Sequence, residues 1–121
     1  QQEAEAIQAV KTLLHDNGCF FFYRGQQPLD QLMAKTVAAF AKQVNMPVVG
    51  ISVDGKVLST FSVNRQDHGQ AKKLGVKAYP ALLLVNPQTH AIQPISYGIL
   101  SQSELLHRFW LVATHFAKEE A

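Results

Sequence analysis

The stretch Cys19-Phe20-Phe21-Phe22-Tyr23-Arg24-Gly25-Gln26-Gln27-Pro28-Leu29-Asp30-Gln31-Leu32 decides the fold. It opens as an apolar, aromatic run of strand character. Four aromatic residues in succession predict a strand buried on both faces, as in the middle of a sheet covered by helices. The run breaks at Gly25. It resumes as a helix with Pro28 in the first turn, where the missing N–H of proline would have no intrahelical partner anyway.

Working outward, apolar residues keep helical spacing as far as Val44. Leu32, Met33, Val37, Phe40, Ala41 and Val44 make the expected inner face, and Gln31, Lys35, Lys42 and Gln43 the outer one. Upstream, Ile7, Val10, Leu13 and Leu14 share one face of a helix over residues 4–15, stopped by Asp16-Asn17-Gly18. Residues 1–17 therefore read as an N-terminal helix or linker from an upstream segment absent from this chain, and 18–121 as one domain. Downstream, residues 47–53 are a β-branched strand, closed by the turn signal Asp54-Gly55. Residues 56–63 are either a hairpin partner or a loop along the sheet.

Residues 66–74 read as a short helix and 81–85 as a buried strand. Residues 91–97 form a last strand at an edge, since Pro94 cannot donate to a central ladder. Ser101 with Glu104 is a capping box for the final helix. Its core stripe is Leu105, Phe109, Val112 and Phe116, with Leu106 and Trp110 alongside. This order predicts an α/β fold: a central mixed sheet of four strands, with room for an extra short one, and helices on both faces.

With 121 residues, 47% hydrophobic and 17% charged, the chain can bury a core of its own. The net charge of +2 comes from 11 basic and 9 acidic residues. Read as evenly spread, it predicts no nucleic-acid partner. The apolar runs are too short for direct membrane insertion. His107 and His115 stand about 12 Å apart along one helix, and His15, His68 and His90 are scattered. No metal site and no cofactor is expected. Cys19 is the one cysteine, read as a small buried apolar residue.

Three segments resemble the thioredoxin fold. They are residues 22–30, residues 71–84 around Tyr79-Pro80, and Tyr97-Gly98-Ile99-Leu100-Ser101. In that family the turn before the helix carries Cys-Pro-x-Cys. Here the same positions read Gln27-Pro28-Leu29-Asp30. A nearer resemblance is to the TraF family, the thioredoxin-like pilus-assembly proteins of conjugative plasmid transfer. It rests on Phe20-Phe21-Phe22-Tyr23-Arg24-Gly25, on Val53-Asp54-Gly55 and on Gly75-Val76 with Tyr79-Pro80. The resemblance implies a periplasmic role in assembling a type IV secretion pilus, with other assembly proteins as partners. It also implies a cis peptide at Tyr79-Pro80.

Thiol-disulfide exchange needs an attacking thiolate and a resolving partner. Gln27 and Asp30 supply neither, and Cys19 lies at the other end of the strand. The buried carboxylate that thioredoxins carry on this strand falls at about Phe21, which is apolar. The expectation is a fold kept and its chemistry lost, so no enzyme. The surviving candidate is the groove where thioredoxins hold an extended peptide: Gln26, Gln27, Tyr79 and Pro80, beside Pro28, Leu29 and Asp30. The plainer alternative is that Pro80 shapes a core turn and Tyr79 packs. Two other readings stay open: a thiol-disulfide chaperone or isomerase using Cys19, and a purely structural module. Asp30 reads as a carboxylate complementing the helix dipole, and a partly exposed Trp110 as a second candidate partner surface.

Overall fold

Strand β1 (Gly18–Tyr23) lies at the centre of a five-stranded sheet of order β3-β2-β1-β4-β5. The computed structural model describes residues 3–120, with side chains described as far as His115. Around β1 the chain sets α1 (Glu3–Leu13), α2 (Pro28–Val44), β2 (Val48–Ser52), β3 (Asn64–Gln66) and α3 (Gln70–Lys73), then β4 (Ala81–Val85), β5 (Ile92–Tyr97) and α4 (Gln102–Glu120). β1 pairs parallel with β2 and antiparallel with β4, and the outer pairs are parallel β2–β3 and antiparallel β4–β5.

Strand alternation sorts the aromatic run onto two faces. Phe21 and Tyr23 point to the side holding α1, α2 and α4, where they join Val10, Met33, Val37, Phe40 and Phe109 in the larger core. The rings of Phe40 and Phe109 stack at 5.2 Å and tie α2 to α4. Phe22 points the other way, to Ile51, Ala71, Val76, Ala81 and Leu83. Each such buried side chain stabilises the fold by roughly 1.5–3 kcal/mol. The two faces are covered unequally: α1 packs on α4 and α2, leaving the four-residue α3 as the helix of the Phe22 face.

Several sequence expectations are met in detail. α2 begins at Pro28 and closes on Asn45, which takes the left-handed conformation (φ 57°) and donates its N–H to Ala41. The capping box is formed in both directions, Ser101 N–H to Glu104 at 2.9 Å and Glu104 N–H to Ser101 Oγ at 3.1 Å. β5 is an edge strand. The register shifts between Leu82 and Leu83 and leaves Ile95 as an extra, buried residue. The Phe116 end of the expected α4 stripe lies outside the described side chains.

The extra short strand that the sequence left room for is present, and two expectations, the length of the helix after it and the burial of Leu32, are corrected. The fifth strand, β3, is polar and only three residues long, so it carries no alternation to read. It includes Gln66, the expected first residue of the following helix, and that helix is confined to Gln70–Lys73. Leu32, expected on the inner face of α2, is 53% exposed. Residues 56–63 form a loop held by Asn64, whose side-chain amide donates to Leu58 O at 3.0 Å and Phe61 O at 2.7 Å. Asn64 Oδ1 in turn accepts from the Tyr23 hydroxyl at 2.9 Å, so the loop is hung on β1.

Candidate functional site

β1 delivers Arg24 to the point where three segments converge. One is the first turn of α2. The second is the turn at Tyr79-Pro80, whose peptide bond is cis. The third is the loop at 98–100, where Gly98 N–H donates to Pro80 O at 2.8 Å and Leu100 N–H approaches Met33 Sδ at 3.5 Å. Gln26, Gln27, Pro28 and Leu29 are exposed on this surface, Tyr79 is half-buried and Pro80 is buried. Leu29, Leu32 and Ile99 add exposed apolar side chains to it.

Asp30 stands in the first turn of α2, as its reading as a dipole-complementing carboxylate has it, and does more there. It is fully buried. Its Oδ2 accepts the Arg24 backbone N–H at 2.7 Å and Arg24 Nε at 3.1 Å, and its Oδ1 accepts Arg24 Nη2 at 2.9 Å. This is the fork geometry that makes arginine–carboxylate pairs strong and directional. The same Nη2 reaches the carbonyl of Tyr79 at 3.3 Å. A single guanidinium thus ties the start of α2 to the cis turn. The hydrogen bonds that Arg24 donates to Asp30 raise the Arg24 pKa above its ordinary value, so the cation is permanent.

Asp54 organises the other side of the turn, a role its reading as a turn residue did not include. Its carboxylate accepts from Gly25 N–H at 3.0 Å, Gln26 N–H at 2.9 Å, Lys56 N–H at 3.1 Å and Ser52 Oγ at 3.2 Å. Burial pushes the Asp54 carboxyl up, but the hydrogen bonds from Gln26, Lys56, Gly25 and Ser52 together hold it below its ordinary value of 3.8. A carboxyl depressed in this way adds stability that is complete above the unfolded value and is lost as pH falls through the folded value. Asp54→Asn is therefore expected to flatten the loss of stability below about pH 4. Urea midpoints taken across the acid range check this, and parallel acid limbs in both proteins would refute it.

Gly25 is fixed by close approach. A Cβ there would stand 2.0 Å from Lys56 O, a backbone atom that cannot swing aside. Gly25→Ala is expected to cost about 1–3 kcal/mol through overpacking. It should also loosen Gln26 and Gln27, which faster amide exchange at those residues would show.

Cys19 lies at the opposite end of β1 and is buried, with Sγ 3.3 Å from Met46 Sδ. Burial pushes its thiol pKa far up, against formation of a thiolate. Trp110 is half-buried beside the main core and stacks on His107 at 6.1 Å. Among the described residues no cluster of three or more His, Cys, Asp or Glu side chains could hold a metal ion, and no helix is long and apolar enough to cross a membrane. The structure brings together Gln27, Pro28, Leu29, Asp30, Tyr79 and Pro80. Arg24 and Asp54 complete the arrangement.

The family described as TraF, F plasmid transfer operon protein, matches residues 1–110. Protein TraF of Escherichia coli (strain K12) is 39% identical over 114 residues, covering 94% of this chain and 46% of that protein. The chain thus spans about half the length of this curated relative. Among solved structures, MTB DsbF in mixed oxidized and reduced forms is similar with a TM-score of 0.60 and 19% identity, over 84% of each chain. The first thioredoxin domain of mouse protein disulfide-isomerase A4 is similar with a TM-score of 0.51 and 15% identity, over 93% of this chain and 73% of that one. The fold is thioredoxin-like, and with one cysteine it carries no Cys-x-x-Cys pair.

Proposed function

The chain belongs to the TraF family, and from that premise we propose that it acts in conjugative pilus assembly as a non-catalytic, thioredoxin-like binding protein. It works in the periplasm. It holds other assembly proteins of the transfer system at the surface formed by Gln26, Gln27, Leu29, Tyr79 and Pro80. The observation that carries this reading is the Arg24–Asp30 pair. Asp30 stands at the position of the second motif cysteine and is bound to the arginine that braces the cis turn. The frame around the old redox position is thus maintained by charge rather than by sulfur, which favours a surface kept for binding.

The test is a photo-crosslinking amino acid at Gln27, with the same group at exposed Lys42 as control, in cells running the transfer system. The expected result is one assembly protein captured from position 27, none from 42, and loss of capture in Leu29→Asp. Leu29 is 60% exposed, so this substitution spares the fold. Equal labelling from both positions would overturn the reading.

The competing redox reading rests on Cys19, and it has its own measurement. The folded protein is expected to leave a thiol reagent such as Ellman's reagent unreacted until denaturant is added. Fast labelling of the native state would restore a thiol-based role.

A further inference from the structure

The Phe22 face of the sheet is only half covered. α3 and Val76 close its upper part over Phe22, Ile51 and Leu83. Towards the start of β1, away from the candidate site, a cavity of about 420 Å³ opens on this face. Its lining includes Phe20, Val49, Leu74, Val85, Pro87 and Ile92. Val63 extends the apolar surface to the sheet edge. It is the residue just before β3, its carbonyl accepts the Gly50 N–H at 3.0 Å, and it is 45% exposed. Helices normally cover both faces of such a sheet.

The same face carries cations without counter-charge. Residues 55–103 include Lys56, Arg65, Lys72, Lys73 and Lys77 against a single acid, Asp67. Asp67 is engaged by the N–H groups of Gly69 and Ala71. Arg65 sits opposite Ile51 and so points to the face that bears α3. Lys72, Lys73 and Lys77 are exposed on α3 and just after it, and Leu74 in the cavity wall is the next residue after Lys73. Among the described residues the one ion pair is Arg24–Asp30, so none of these cations is paired. Lys56 lies beside the Gly25 turn, which leaves Arg65, Lys72, Lys73 and Lys77 on or beside this face.

We infer that this half-covered face docks an acidic amphipathic helix of a partner protein. Its apolar ridge fills the cavity, and carboxylates along its flank meet Lys73, Lys72 and Arg65. Charge complementarity selects the acidic flank, and the apolar lining selects the ridge. A duplex nucleic acid would use the cations but keeps its bases stacked and has nothing to place in an apolar cavity. A bilayer surface would meet protruding apolar side chains, whereas this surface is recessed beneath the end of α3. The site lies at the opposite end of β1 from Arg24, so the inference stands apart from the groove proposal.

The experiment places a benzophenone amino acid at Val63 of the full protein in cells running the transfer system. The expected result is a protein adduct, mapped by mass spectrometry to a segment with apolar residues at helical spacing flanked by Asp and Glu. Its yield should fall at least about fivefold in Arg65→Glu/Lys72→Glu/Lys73→Glu. It should fall similarly for the unreversed protein crosslinked in extracts at about 0.5 M salt, which removes folding of the variant as an explanation. It should persist in Leu29→Asp. Absence of a protein adduct, yields indifferent to charge reversal and salt, or a mapped segment without acids would each overturn the inference. So would an adduct to phospholipid, to nucleic acid or to a second copy of this chain. Loss of the Val63 adduct with capture from Gln27 intact would remove this surface and leave the groove reading standing.

Discussion

Arg24→Ala is expected to destabilise the fold by about 3 kcal/mol, and by more than Asp30→Ala does. The asymmetry follows from burial. Asp30 is fully enclosed, whereas the Arg24 side chain is 40% exposed. Removing Asp30 frees an arginine that can turn to water. Removing Arg24 strands a carboxylate whose one remaining donor is the backbone N–H of residue 24. Adding Asp30→Ala to Arg24→Ala removes the stranded charge and should recover part of the loss, so the two changes are not additive. Chemical denaturation of the four proteins closes the cycle. Equal costs for both single alanine variants, or no recovery in the double variant, would show that the pair is not coupled as described.

Phe40→Ala is expected to cost about 3–5 kcal/mol, the range for removing a buried aromatic ring and leaving a cavity. Phe40 and Phe109 are both fully buried, and their stacked rings are the main aromatic link between α2 and α4. Because α2 carries the first turn that holds Asp30, the loss should reach the site. The expected signs are a lower denaturation midpoint and faster amide exchange at the start of α2. A conservative Phe40→Leu should keep most of the stability. A loss in Phe40→Ala below about 1 kcal/mol would mean that neighbouring helices close the gap.

Legibility in the sequence followed the range of the interaction. α2 could be read to its ends because Pro28, the apolar stripe and the stop after Val44 are local signals. The same holds for β4 and for the Ser101–Glu104 capping box. β3 was hidden because an Asn-Arg-Gln segment becomes a strand only by pairing with β2. Leu32 was assigned inward because its spacing borders the stripe, yet Asp30, Met33 and Ala34 fill the buried side of that turn and leave Leu32 on the solvent side. At the site, the motif positions and the cis turn were visible through resemblance. The pairing of Asp30 with Arg24 was not. It joins residues six apart across a turn, with no periodic signature. Of the four donors that converge on Asp54, Ser52 and Lys56 are near neighbours in the chain, but Gly25 and Gln26 come from the distant turn after β1 and likewise appear only in three dimensions.

The solitary, enclosed Cys19 has a consequence for how the chain matures. This domain has no second cysteine with which a wrong link could form, and its one sulfur is packed against Met46. Its acquisition of structure therefore does not wait on an oxidant or on the shuffling of mispaired bonds, steps that take seconds to hours where they occur. The domain should reach the same state at the same rate with or without dithiothreitol. A member of a fold known for oxidative chemistry would then be independent of such chemistry for its own biogenesis.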